Sequence, residues 1–203
     1  MKSHWPRFSA LTYTFVPFSL LLSFALLYAE LAPDLVLFRG VYTIRACVLL
    51  TLPAFCLSSL CNLRTVSWSL YNYWRLLWLF AYLLFFVHFL YSAGAFFEWD
   101  VRAIYAKQGP IVATTNFAVA LFWGIEVLGV WFWVNQRPTR GVYMVQLVIH
   151  LLVLVAIVVS SVTKTSWVQY AGYALIGLVS ICLLLRVLLG DLSRQSPIEP
   201  PQS

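Results

Sequence analysis

Apolar residues along this chain do not alternate with polar ones. They run together in long blocks separated by short punctuated stretches. A helix that crosses a bilayer needs roughly 20 apolar residues at 1.5 Å of rise each. Six blocks meet that length, at residues 11–28, 35–61, 70–97, 116–134, 142–162 and 168–189. The second is the least regular, with Arg39 and Arg45 near its start and Pro53 in its middle. It spans if both arginines snorkel outward and the helix kinks at the proline. If it does not, it is re-entrant and five spans remain.

The connections are short. Between the third and fourth blocks, residues 100–108 place Val101, Ile104 and Tyr105 on one helical face, and Gly109-Pro110 ends the pattern. A short helix lying in the membrane interface fits that spacing. Residues 1–10 form a basic head. From residue 190 onward the chain is polar and carries Pro197, Pro200 and Pro201, which predicts an extended tail. The head and first block resemble a secretory signal, but Leu27-Tyr28-Ala29 is a poor cleavage site, so the block is read as a retained anchor. The expected fold is an all-α, polytopic transmembrane helix bundle of about six spans, occupying residues 11–189.

Composition strengthens this picture. Of 203 residues, 62% are hydrophobic and only 10% charged, against roughly a quarter charged in soluble domains. Mean hydropathy is +0.86. A soluble enzyme, a disordered chain and a nucleic-acid-binding module are excluded. The excess of 13 Lys and Arg over 7 Asp and Glu does not argue for nucleic acid, because the positive residues stand singly at block ends. They are instead topology signals. With the N-terminus cytoplasmic, Lys2, Arg7, Arg64, Arg75, Arg137, Arg140, Arg186 and Arg194 fall on that side, and Arg39, Arg45, Arg102, Lys107 and Lys164 on the other. Cys47, Cys56, Cys61 and Cys182 lie in apolar blocks without metal-ligand spacing and are expected to pack as small hydrophobes. His4, in the basic head, is expected to be solvated.

Ionisable residues inside a bilayer are costly and point to function. Three lie well inside predicted spans: His88, Glu126 and His150. Counting from flanking anchors (Arg75 and Trp99, Thr115 and Arg137, Arg140 and Lys164) puts all three within about 3 Å of the midplane. Gln146 lies one turn before His150 and could orient its imidazole, while Gly124 and Gly129 permit close helix approach beside Glu126. If the faces converge, His88 and His150 could ligate haem, or help to hold another pigment, in a subunit of a larger membrane complex. A second possibility is a proton-coupled carrier centred on Glu126 with Gln146. A third is a metalloenzyme with a His/Glu/His site. Beyond the lipid bilayer, the expected partners are other membrane subunits, and catalysis by the chain on its own is not expected.

Aromatic residues make up 17% of the chain. Trp68, Tyr71, Tyr73, Trp74, Trp131 and Trp133 are expected at the interfaces. Phe80, Phe85, Phe86, Phe89 and Trp123 lie deeper, where they would meet lipid, other helices or a flat ligand. The charge bias predicts that both termini are cytoplasmic. Reporter fusions after Gln195 should read out as internal, and an external readout there contradicts this topology.

Overall fold

The computed structural model describes residues 6, 8–32, 34–60, 67–132, 139–162 and 167–195. Among these residues there is no strand. The helices are α1 (Phe8–Ala29), α2 (Leu35–Leu60), α3 (Trp68–Phe89), α4 (Val101–Gln108), α5 (Pro110–Phe132), α6 (Arg140–Val162) and α7 (Trp167–Gln195), with a π-helical segment, Leu90–Phe96, continuing α3. Five helices are long and apolar enough to cross a membrane: α1, α2, α3 with its π segment, α5 and α6. Within α7 a shorter apolar stretch, Gly172–Leu188, adds a sixth candidate. The chain is therefore an all-α bundle with the makings of a multi-pass membrane protein.

α2 is continuous through Pro53 and is long and apolar enough to cross a membrane, as the spanning reading of the second block expects. A proline is tolerated within a membrane helix because neighbouring groups can satisfy the backbone it frees. The Thr51 hydroxyl, two residues before the proline, donates back to the Cys47 carbonyl within the same helix. The two arginines of α2 are held near its first turns: Arg39 pairs with Glu30, and Arg45 lies over the Tyr42 ring at 5.0 Å. α7 runs past residue 190, where extended chain was expected, and ends at Gln195. Nothing in the stretch Asp191-Leu192-Ser193-Arg194-Gln195 breaks a helix, and the first proline comes only at Pro197. Residues 196–203, the head residues 1–5 and 7, Cys61, Arg64, Trp133, Arg137 and Lys164 lie outside the described residues.

Packing is organised around α2 and α3. α2 lies against α1, α3 and α7; α5 lies against α3 and α6; α6 in turn packs on α7. The interior these helices enclose is strongly aromatic. Trp74, Trp78 and Trp123 are fully buried, with Trp74 and Trp78 stacked at 6.2 Å and Trp78 against Trp123 at 4.7 Å. Tyr71 and Trp74, expected in an interfacial belt, are instead core residues with 3% and 0% exposure. The reason is position: their helix is the one enclosed by α1, α2 and α5. Of the cysteines, Cys47 and Cys182 are buried and Cys56 half-buried, all free thiols.

Between helices in lipid, attraction comes from close van der Waals packing, which small residues allow. Gly124 is such a residue. A Cβ there would sit 2.5 Å from the Tyr82 hydroxyl and 3.0 Å from the ring carbon that bears it, and that hydroxyl donates to the Ala120 carbonyl at 3.3 Å. Gly124→Ala should therefore lower stability in detergent by about 1–3 kcal/mol. Thermal unfolding of the variant checks this, and a second substitution, Tyr82→Ala, should remove most of the difference by opening the space.

Candidate functional site

α5 and α6 bring Glu126 and His150 together. Both side chains are buried, with residue exposures of 6% each. His150 Nε2 stands 3.2 Å from Glu126 Oε1, an ion-pair distance, although the two atoms lack hydrogen-bond alignment. The other carboxylate oxygen, Oε2, accepts from Trp78 Nε1 at 3.2 Å. Aromatic edges and faces surround the imidazole, with Trp78, Trp74 and Phe55 at 4.5, 5.4 and 6.4 Å. The site thus joins α2, α3, α5 and α6.

Gln146, one turn before His150 on α6, is buried too, with 4% exposure. The polar stripe Gln146–His150 faces inward, as leaving it to lipid would strand both groups. Gln146 Oε1 and His150 Nδ1 nevertheless have no hydrogen-bond partner among the described residues, and the same holds for Asn72 Oδ1, Trp74 Nε1 and Trp123 Nε1. Native interiors leave few polar atoms in this condition. Their concentration around one carboxylate and one imidazole marks the region as polar capacity built into an aromatic core.

His88 is elsewhere. It lies ten residues beyond Trp78 on α3, about 15 Å along the helix axis, and its Nδ1–H donates to the Gly40 carbonyl of α2 at 2.7 Å. The expected common depth fails for a definite reason. Arg75 does not mark the membrane edge of the third span: it is 1% exposed, with its guanidinium 4.6 Å over the Trp131 ring. The helical segment long and apolar enough to span is Trp68–Phe96. Its middle is residue 82, so His88 sits about 9 Å past the centre. Haem ligation by His88 and His150 together needs both imidazoles on one iron, and the contacts do not support it: His150 packs on Trp78, whereas His88 lies ten residues further along α3 against Gly40. His150 is enclosed by the Phe55, Trp74 and Trp78 side chains. A His/Glu/His metal site is likewise not formed, and among the described residues no three His, Cys, Asp or Glu side chains gather as metal ligands.

Arg75, Trp78 and Asn72 are interior polar residues that the pattern of the sequence did not single out. For Arg75 a signal existed: it lies seven residues inside an aromatic-rich block that begins at Trp68, about 10 Å along the helix. Trp78 shares its face at the i, i+3 spacing, but nothing marks it among 9 tryptophans. No protein-family model, no curated protein and no solved structure matches the chain.

The arrangement has a defined chemical capacity. A carboxyl group and an imidazole in contact share one proton at no net charge, and a second proton makes the pair cationic. Removing one member strands the other in a low-dielectric interior. Glu126→Leu should therefore destabilise the bundle by more than Glu126→Leu adds in a His150→Phe background. A double-mutant cycle on unfolding in detergent should return a coupling of about 0.5–3 kcal/mol. Additive effects would show that the two side chains do not interact.

Proposed function

We propose that the protein is a small proton-coupled membrane carrier whose proton or cation site is the Glu126–His150 pair, with Gln146 as an adjoining polar ligand. The observation that carries this reading is the buried contact itself, His150 Nε2 to Glu126 Oε1 at 3.2 Å. Titratable groups within spans are costly to bury and mark ion pathways and proton relays. A bundle needing only stability would place apolar side chains here, because a buried charged pair commonly gives no more stability than a hydrophobic replacement.

Each neighbour has a part in this account. The Trp78 indole donates to the carboxylate oxygen that His150 does not approach, so the carboxyl group stays oriented while its proton is exchanged. Gln146 Oε1, lacking a hydrogen-bond partner among the described residues, supplies an acceptor for a proton-bearing water or a small cation beside the imidazole. The aromatic walls keep the pair out of bulk water, so that its protonation is coupled to rearrangement of the helices and not to free exchange. Such coupling is the requirement for moving a solute against its gradient at the cost of protons.

The test is a pH-step infrared difference measurement on the protein in lipid vesicles, combined with proton uptake under an imposed gradient. The wild type should show a carboxyl band that is lost in Glu126→Gln and shifted in His150→Gln. Proton uptake should fall at least ten-fold in Glu126→Gln. A difference spectrum without any Glu126-dependent band, or uptake undiminished by the substitution, overturns the proposal.

A further inference from the structure

A second polar feature lies at the π-helical end of α3. A cleft of about 30 Å³ is lined by His88 and Ser92, by Gln108 and Asn116, and on its apolar side by residues that include Phe85 and Phe117. It is built with care. Glu98 and Trp99 both adopt left-handed backbone, at φ 52° and 61°, a conformation that costs a non-glycine residue free energy. The two residues turn the chain back so that α4 crosses the start of α5. Asp100 then caps α4 through the Arg102 and Ala103 amides at 2.9 and 3.2 Å, and Asn116 donates to Gln108 across the cleft at 3.0 Å. π-helical insertions themselves occur preferentially at functional positions.

We propose that this cleft is the aqueous vestibule of the Glu126–His150 pair, and that the Phe85 and Trp123 rings form the plug between them; this rests on the proton-handling reading of the pair. The cleft is large enough for water, which needs at least about 10–15 Å³, and too small for an organic ligand of a ring or more. Its polar wall also supplies the partners a water requires. Because Nδ1 of His88 is committed as a donor to Gly40, Nε2 carries the lone pair, and no hydrogen bond occupies it among the described residues. A water in the cleft can donate to it. Gly40 permits the close approach of the cleft's serine: a Cβ there would come within 3.1 Å of Ser92 Oγ.

From the floor of the cleft the route inward is short. Phe85 lines the cleft and lies 5.6 Å from Trp123. Trp123 packs on Trp78 at 4.7 Å, and Trp78 holds Glu126. Two aromatic rings therefore separate the water-sized space from the residue bonded to the carboxylate. Trp123 Nε1 is buried without a hydrogen-bond partner, an unused donor in the middle of the plug. A water that passes Phe85 meets it before reaching Trp78.

Two measurements on the full-length protein test the assignment. In membranes, Ser92→Cys and, on the opposite wall, Asn116→Cys are treated with aqueous Ag⁺, an ion of about the size of water that binds thiolate, and the sites that have reacted are read by mass spectrometry as those protected from later alkylation. Both should react at least ten-fold faster than Leu90→Cys, whose side chain is on the outer surface of the span, and from the same side as Lys107→Cys on α4. Native Cys47, with 0% exposure, should stay unreacted. Equally slow reaction at 90, 92 and 116 while Lys107→Cys reacts overturns the vestibule. For the plug, hydrogen–deuterium exchange of the indole N–H groups is followed by NMR. Phe85→Ala should speed exchange at Trp123 at least ten-fold and leave the equally buried Trp74 unchanged. An unchanged Trp123 rate overturns the path. Neither readout depends on proton uptake, so loss of the Glu126 infrared band in the wild type would be the failure of the carrier reading alone.

Discussion

A carboxylate and an imidazole placed inside a membrane-spanning bundle must find each other or find water, because lipid offers neither charge nor hydrogen bonds. In this protein Glu126 finds His150 and Trp78. That requirement fixes much of the interior. It sets the rotation of α6, whose Gln146–His150 stripe must face α3 and α5. It also sets the face of α5 that carries Glu126 and Trp123 inward. The aromatic stack of Trp74, Trp78 and Trp123 fills the remaining volume with flat, rigid side chains that pack on one another and on the imidazole. The surroundings of the pair are thereby filled by aromatic rings without being wholly apolar.

The polar groups are also distributed unevenly along the bundle axis. One set surrounds Glu126 and His150, and continues through Arg75 over Trp131. The other gathers at His88, Ser92, Gln108 and Asn116 beneath α4. Between them the chain offers Phe85, Tyr82 and Trp123, with ring centroids 5.6 and 5.7 Å apart for the two contacts made by Trp123. A polar recess and a buried titratable pair separated by a thin aromatic layer is an economical design for controlled access. In the proposed vestibule, water fills the recess and the Phe85 and Trp123 rings control whether it reaches the pair.

The spans were legible in the sequence because membrane thickness imposes a length that apolar runs either meet or miss. The short helix α4 was legible for a different reason: Val101, Ile104 and Tyr105 fall on one helical face, and Gly109-Pro110 marks its end. Glu126, His150 and Gln146 could be named as interior residues since polar side chains are rare in such blocks. What the sequence did not convey was which of these residues meet. Helix rotation and lateral neighbours depend on packing between elements distant in the chain, as Gly124 beneath Tyr82 illustrates. The misplacement of His88 has a narrower origin. An arginine inside an aromatic run reads as a membrane boundary, yet Arg75 is accommodated in the interior by stacking over a tryptophan. One residue mistaken for an edge moved the estimated centre of α3 by several residues.

The central claim is that Glu126 and His150 act as one proton-sharing unit and that His88 does not belong to it. The most direct measurement is ¹⁵N solid-state NMR of the histidine side chains in lipid bilayers, with signals assigned by single substitutions. The account predicts that Glu126→Gln changes the ring-nitrogen shifts of His150 and their response to pH. The His88 signals should keep the pattern of a neutral ring protonated at Nδ1. Contradiction would be a His150 spectrum indifferent to Glu126→Gln, or a His88 spectrum that changes as much as that of His150.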